Sequence, residues 1–204
     1  FGMEFVKEFA IFLHQNDIIK FGDFTLASGK KSSYYIDLRL VASFPHIFRK
    51  MTKNLQKLVS EKTGLDNFDS LVSVPTGGLV IGSALAIETV KPLIYVRDKP
   101  KDYGTTKSIE GKIFSGMKVV LIDDVITTGN SVINAIKQLK DAGLSISDVY
   151  VIINRLEGAN NTLELEKVNL YQLTDVLEIT TILFQEKLVS KEILDKINNQ
   201  ISQN

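Results

Sequence analysis

Residues 119–131 read VVLIDDVITTGNS: an apolar run, two adjacent carboxylates, two more apolar residues, then hydroxyls, glycine and asparagine. A carboxylate at the rim of an apolar strand is costly to desolvate unless it meets a donor, a cation or a ligand hydroxyl. Asp123 and Asp124 therefore suit a polyol. Thr127, Thr128, Gly129, Asn130 and Ser131 run into a helical pattern. They offer backbone N–H groups, hydroxyls and the positive end of a helix dipole, a set that binds phosphate. A sugar phosphate satisfies both halves. A plainer reading has the aspartates capping the loop and Ser131 capping the helix, although capping needs neither two acids nor two threonines.

Two further places have the same character. Pro75-Thr76-Gly77-Gly78 interrupts an apolar stretch, and glycine there lets backbone N–H groups approach a ligand closely. The alternative is a plain strand-to-helix turn, with Gly78 and Gly82 easing helix packing. Arg155 follows another apolar run and is the natural bidentate partner of a carboxylate, or else one half of a surface ion pair with Glu157. The two histidines, His14 and His46, have no metal-ligand partner at useful spacing and read as structural. Phosphate-loop, dinucleotide-binding and hydrolase nucleophile signatures are absent.

The elements that must position these residues follow from apolar periodicity. Phe5, Val6, Phe9, Phe12 and Leu13 share one face of a helix over 3–15, and Pro45 opens a second helix to about Glu61. Residues 17–40 mix short apolar pieces with Gly and Ser, as an irregular antiparallel segment does. Ser70–Val74, Leu93–Val96, Val119–Ile122 and Val149–Ile153 are Val- and Ile-rich runs of the kind buried on both faces of a parallel sheet, and Asn169–Leu173 is a weaker fifth. Helical stretches at 79–89 and 131–142 alternate with them, the second closed by Gly143, which predicts an α/β fold with a parallel sheet of about five strands. Two terminal helices should begin near Asp175 and Ser190. In such a sheet ligands bind outside the carboxyl ends of the strands, where Thr76, Asp123 and Arg155 all fall. Residues 97–111, RDKPKDYGTTKSIEG, are polar, lysine-dense and longer than the roughly 4–6 residues usual for a connection, as functional lids are.

Bulk properties narrow the classes. The chain has 204 residues, a length that suits a single domain, and its 24 basic residues equal its 24 acidic ones, so no global field favours nucleic acid. It has no cysteine, which removes disulfides and thiolate metal sites. The uncharged stretch 70–87 has the length of a short membrane span, but Pro75 and paired glycines break it. Nothing at the N-terminus resembles a signal peptide, Phe1-Gly2 ahead of Met3 reads as a cloning remnant, and a cytoplasmic protein is expected.

Residues 119–131 resemble the phosphoribosyl-pyrophosphate (PRPP) motif of type I phosphoribosyltransferases. FTLASGKKSSYYIDLR (24–39), VPTGGLVIGSALA (74–86), YVRDKPKDYGTTKSIEG (95–111) and INRLEG (153–158) fall in the order and spacing of the orotate phosphoribosyltransferases. The resemblance covers nearly the whole chain. It implies a hood over residues 1–45, a core over 46–204 with a lid at 97–111, and transfer of a phosphoribosyl group from PRPP to orotate. By that resemblance Thr76, Gly77, Arg97, Lys101, Tyr103 and the run Asp123-Asp124-Val125-Ile126-Thr127-Thr128-Gly129-Asn130-Ser131 would bind PRPP. Ser28, Tyr35, Thr127 and Arg155 would hold orotate, with Arg155 on its carboxylate. Lys101, Arg97 and Asp124 would act in catalysis. Mg²⁺ would come held mainly by PRPP and water, with no metal cage of protein side chains. Two copies would form a homodimer in which the lid of one closes over the site of the other. No nucleic-acid or membrane partner is implied.

Three positions depart from the family pattern. The lysine of its Phe-Thr-Leu-Lys-Ser-Gly segment is Ala27, a lid lysine is replaced by Asp98, and the lid histidine by Tyr103; Lys99 stands one residue beyond Asp98. Exchanging lysine for aspartate moves two charge units the wrong way beside a polyanion. These departures leave open a PRPP-binding regulator without turnover, or an enzyme for another base.

Overall fold

Short runs of Val and Ile can be buried from both sides only if helices cover both faces of the sheet they form. This is the arrangement in the computed structural model, which describes residues 2–26, 28–97 and 108–204. Strands β3 (Ser70–Ser73), β4 (Leu93–Val96), β5 (Ile109–Glu110), β6 (Lys118–Ile126), β7 (Ser145–Asn154) and β8 (Asn169–Asp175) form one sheet in the order β5-β4-β3-β6-β7-β8. All neighbours are parallel except β4 and β5. The expected five parallel strands are thus present, extended by a two-residue antiparallel edge that short apolar patterning does not reveal.

Alternate residues divide the core into two layers. Leu71, Val120, Ile122, Tyr150 and Ile152 face α1 (Met3–Gln15), α2 (Pro45–Lys62), α3 (Gly77–Thr89) and α6 (Val176–Gln185). Val72, Val119, Leu121, Val149 and Val151 face α4 (Asn130–Asp141) and α5 (Ala159–Leu165). Helix α5 has no counterpart in the sequence reading, because ANNTLEL is too short to display a helical period. The N-terminal helix packs Phe5, Phe9 and Leu13 into the main core.

The hairpin β1 (Ile19–Thr25) and β2 (Lys31–Ile36) forms a separate two-stranded sheet, followed by a 3-10 segment at Leu38–Ser43. The C-terminal helix α7 (Lys191–Ser202) reaches this hairpin, where Gln200 accepts hydrogen bonds from the Ser33 amide (2.9 Å) and hydroxyl (2.6 Å). The terminal helices start where their caps predict: Asp175 accepts from the Glu178 amide at 2.8 Å and Ser190 from the Ile193 amide at 3.3 Å. Pro45 occupies the first turn of α2. The uncharged stretch 70–87 divides between β3 and α3, and among the described residues no helix is long and apolar enough to cross a membrane.

Candidate active site

Strand β6 explains how two aspartates can leave a buried strand. Its pairing with β3 ends at Ser73–Ile122, whereas its pairing with β7 continues to Ile126–Asn154. The sequence reading ended this strand at Ile122; it runs on through both acids, held from one side only. Asp123 and Asp124 therefore stand over the gap left where β3 stops. Each is braced by the backbone: the Asp124 amide donates to Asp123 Oδ1 at 2.9 Å, and the Val125 amide to Asp124 Oδ1 at 2.8 Å. Asp123 is buried and Asp124 half-buried.

The first turn of α3 borders that gap, and glycine is what lets it come so close. A Cβ on Gly77 would overlap the Asp124 carboxylate, and one on Gly78 would lie 2.8 Å from Asp123 Oδ1 and 2.9 Å from the Ile122 carbonyl oxygen. Helix α3 begins at Gly77, two residues before the start read from apolar spacing, because glycines count as breakers until a close neighbour gives them a reason. Thr76, the residue that precedes the helix, follows a cis Pro75–Thr76 peptide.

On the other side, β6 passes through Thr127 and Thr128 to Gly129, which adopts a left-handed conformation (φ +89°) and starts α4. No side-chain hydrogen bond caps this start, whereas the plainer reading had Ser131 capping the helix; the aspartates do accept from backbone amides beside them. The first amides of a helix and the positive end of its dipole favour an anion, and the loop that leads into α4 carries the hydroxyls of Thr127, Thr128 and Ser131. Thr128, Asn130 and Ser131 are exposed and Thr127 is half-buried.

Arg155 lies beside this loop, its amide donating to the Ile126 carbonyl at 2.9 Å. Its guanidinium is engaged: Nε and Nη2 each lie 3.3 Å from Glu157 Oε1, and Nη2 donates to Ser32 Oγ at 3.2 Å. The surface ion pair considered from sequence exists, but it is buried, with side chains 7% and 1% exposed. The Tyr34 ring lies 4.2 Å below the guanidinium. Burial pushes the Tyr34 phenol well above its ordinary value, with Arg155 partly opposing, so a neutral ring faces the cation. Neither Glu157 nor Tyr34 was singled out as a site residue, and only their three-dimensional neighbourhood reveals them.

The remaining expected residues are spread around this centre. Tyr35 is exposed on the opposite side of β2 from Tyr34, its ring 6.0 Å from that of Phe24. Ser28 lies in the hairpin loop, where it accepts from the Lys30 amide at 3.4 Å. Arg97 sits at the end of β4, two strands from β6, with Nη1 donating to Glu110 at 3.0 Å and its amide to the Ser108 carbonyl at 2.7 Å. These contacts join the two ends of the expected lid. Lys101, Tyr103, Asp98, Lys99 and Ala27 lie outside the described residues. Arg39, which the sequence reading passed over, grips Asp37 through Nε at 2.7 Å and Nη2 at 3.0 Å. That grip holds the Asp37 carboxyl below the usual carboxylate range, and Arg39 lies within electrostatic reach of Asp124 and Tyr35.

The phosphoribosyl transferase domain family matches residues 41–178. An orotate phosphoribosyltransferase of Cenarchaeum symbiosum is 45% identical over 198 residues, spanning 97% of this chain and 99% of that protein. One from Pyrococcus furiosus is 42% identical over 178 residues, 87% of this chain and 94% of the relative. Among solved structures, orotate phosphoribosyltransferase from Aeropyrum pernix superposes with a TM-score of 0.76 at 32% identity, covering 89% of this chain and 99% of its own.

Proposed function

The chain belongs to the orotate phosphoribosyltransferases, within the phosphoribosyl transferase domain family, and from that membership we propose how its residues carry the reaction. The enzyme transfers the phosphoribosyl group of PRPP to orotate, giving orotidine 5′-phosphate and pyrophosphate in pyrimidine biosynthesis. The observation that supports this reading at the site is the meeting of three features at one sheet end. Paired carboxylates on β6, the glycine turn of α3 and the uncapped start of α4 surround one gap, with Arg155 at the end of the adjacent strand.

Each part has a chemical task. Asp123 and Asp124 accept the ribose hydroxyls, and 127–131 with the α4 amides hold the 5-phosphate. The Thr76-Gly77 turn receives pyrophosphate through backbone N–H groups. Arg155 takes the orotate carboxylate, with Thr127, Ser28 and Tyr35 around the ring. The bond from ribose C1 to the pyrophosphate oxygen breaks and its electron pair leaves with pyrophosphate. C1 gains oxocarbenium character, and the N1 lone pair of deprotonated orotate forms the new bond. No protein nucleophile is required, so positioning and charge stabilisation carry the rate. Lys101 and Arg97 neutralise the leaving pyrophosphate. Adjacent aspartates are hard oxygen donors, which fits Mg²⁺ brought in on the substrate's own oxygens and water. Bound there, it would offset negative charge on the pyrophosphate. The working unit is a cytoplasmic homodimer in which segment 97–111 of one copy closes over the site of the other.

Asp124→Asn and Thr128→Ala should each weaken PRPP binding about ten- to hundredfold, since hydrogen bonds involving charged groups are worth roughly 1.5–3 kcal/mol. Titration calorimetry with melting controls reads this directly. Unchanged affinity in both folded variants would remove 123–131 from the PRPP site.

A further inference from the structure

Arg155 presents a problem that the pairing itself poses. A guanidinium already neutralised by a buried carboxylate has no net charge to offer an anionic base, and Glu157 would repel that base's own carboxylate. The resolution lies in the hairpin loop. Lys30 Nζ reaches the other oxygen of the same carboxylate, 3.2 Å from Glu157 Oε2, while Arg155 holds Oε1. Lys30 is fixed from a second side by the Asn204 side-chain oxygen at 2.7 Å. The three groups form a chain of Lys30, Glu157 and Arg155 with a sum of one positive charge. The Glu157 side chain is 1% exposed and Arg155 7% exposed, so this sum sits in weakly screened surroundings. Lys30 itself is 43% exposed and joins the pair from the solvent side.

We infer that Lys30 is a specificity-determining residue of the base site, supplying the surplus charge that lets Arg155 accept an anionic base while Glu157 stays paired. The inference rests on the assignment of Arg155 to the orotate carboxylate. It gives the hairpin a role although Ala27 stands where the family has lysine: the cation of this loop acts from position 30, through Glu157. Ser32 completes the arrangement, because it accepts from both Arg155 at 3.2 Å and Gln200 at 3.3 Å and so ties the guanidinium to the hairpin and α7.

The test measures orotate and PRPP binding by calorimetry in Lys30→Met, Lys30→Arg, Arg155→Ala and the double variant Lys30→Met/Glu157→Gln. Lys30→Met should weaken orotate about tenfold, the effect of one unit charge over about 12 Å at an effective dielectric near 20, and leave PRPP unchanged. Lys30→Arg should bind orotate like the native chain. The double variant restores a net charge of one and should recover much of the loss, which a merely structural role for Lys30 does not predict. Native orotate affinity in Lys30→Met, or a folded double variant no better than Lys30→Met, overturns the inference. If melting shows the double variant unfolded, the contrast between Lys30→Met and Lys30→Arg decides: equal weakening in both overturns it. Arg155→Ala separates the two levels. If it binds orotate normally, the base-site assignment itself fails; if it loses orotate while Lys30→Met does not, only the role of Lys30 fails.

Discussion

Gly77→Ala should lower PRPP affinity about hundredfold while leaving the melting temperature within a few degrees of the native chain. The new Cβ would occupy the space of the Asp124 carboxylate. Asp124 is half-buried and can swing aside, so the fold survives, but the carboxylate leaves the position from which the proposed site has it meet a ribose hydroxyl. Losing one charge-assisted bond, with part of a second from the displaced turn, amounts to roughly 2.7 kcal/mol. Gly82→Ala is the contrasting variant. Its Cβ would overlap the hydroxyl of Ser73, which is completely buried, so the cost falls on packing and appears as a lowered melting temperature. Calorimetry and thermal melts of the pair check both halves. Native PRPP affinity in Gly77→Ala would mean that Asp124 does not bind the ribose from this position.

The second large effect concerns Lys101. Removing one preorganised contact to developing charge costs about 10²–10³ in kcat, so Lys101→Ala should fall by that order with orotate binding little changed. If the lid acts on the neighbouring copy, mixing Lys101→Ala with Asp124→Asn gives heterodimers in which one site is intact and one carries both defects. Random exchange should then return about one quarter of native activity, since half the dimers have one good site of two. Recovery on mixing, measured after subunit exchange is verified, supports closure in trans. No recovery places the lid over its own chain's site.

How much of this was legible in the sequence depends on which property each element uses. The parallel strands and most of the helices were legible because burial on both faces writes short uninterrupted apolar runs, and an apolar helix face a helical period, into the chain. The turn from β6 into α4 was legible because hydroxyls and glycine stand between an apolar run and a helical period. Besides the short elements β5 and α5, two features of the site were not. The extension of β6 to Ile126 depends on β3 stopping at Ser73 while β7 continues, a fact of pairing rather than of local composition. The Lys30–Glu157–Arg155 chain joins residues 127 positions apart, and the ion pair between Arg155 and Glu157 was considered from sequence only as a surface contact. Its burial, and the charge sum that follows, arise from the hairpin lying over the end of β7, which no spacing rule reports.

The departures at Ala27, Asp98 and Tyr103 raise the question of turnover, and they set the most direct test of the central claim. The native chain with PRPP, Mg²⁺ and orotate should consume orotate, read as its falling ultraviolet absorbance, and release one pyrophosphate for each orotidine 5′-phosphate formed. Tight PRPP binding with no orotate consumed and no pyrophosphate released would contradict the account and leave a ligand-binding protein in place of an enzyme.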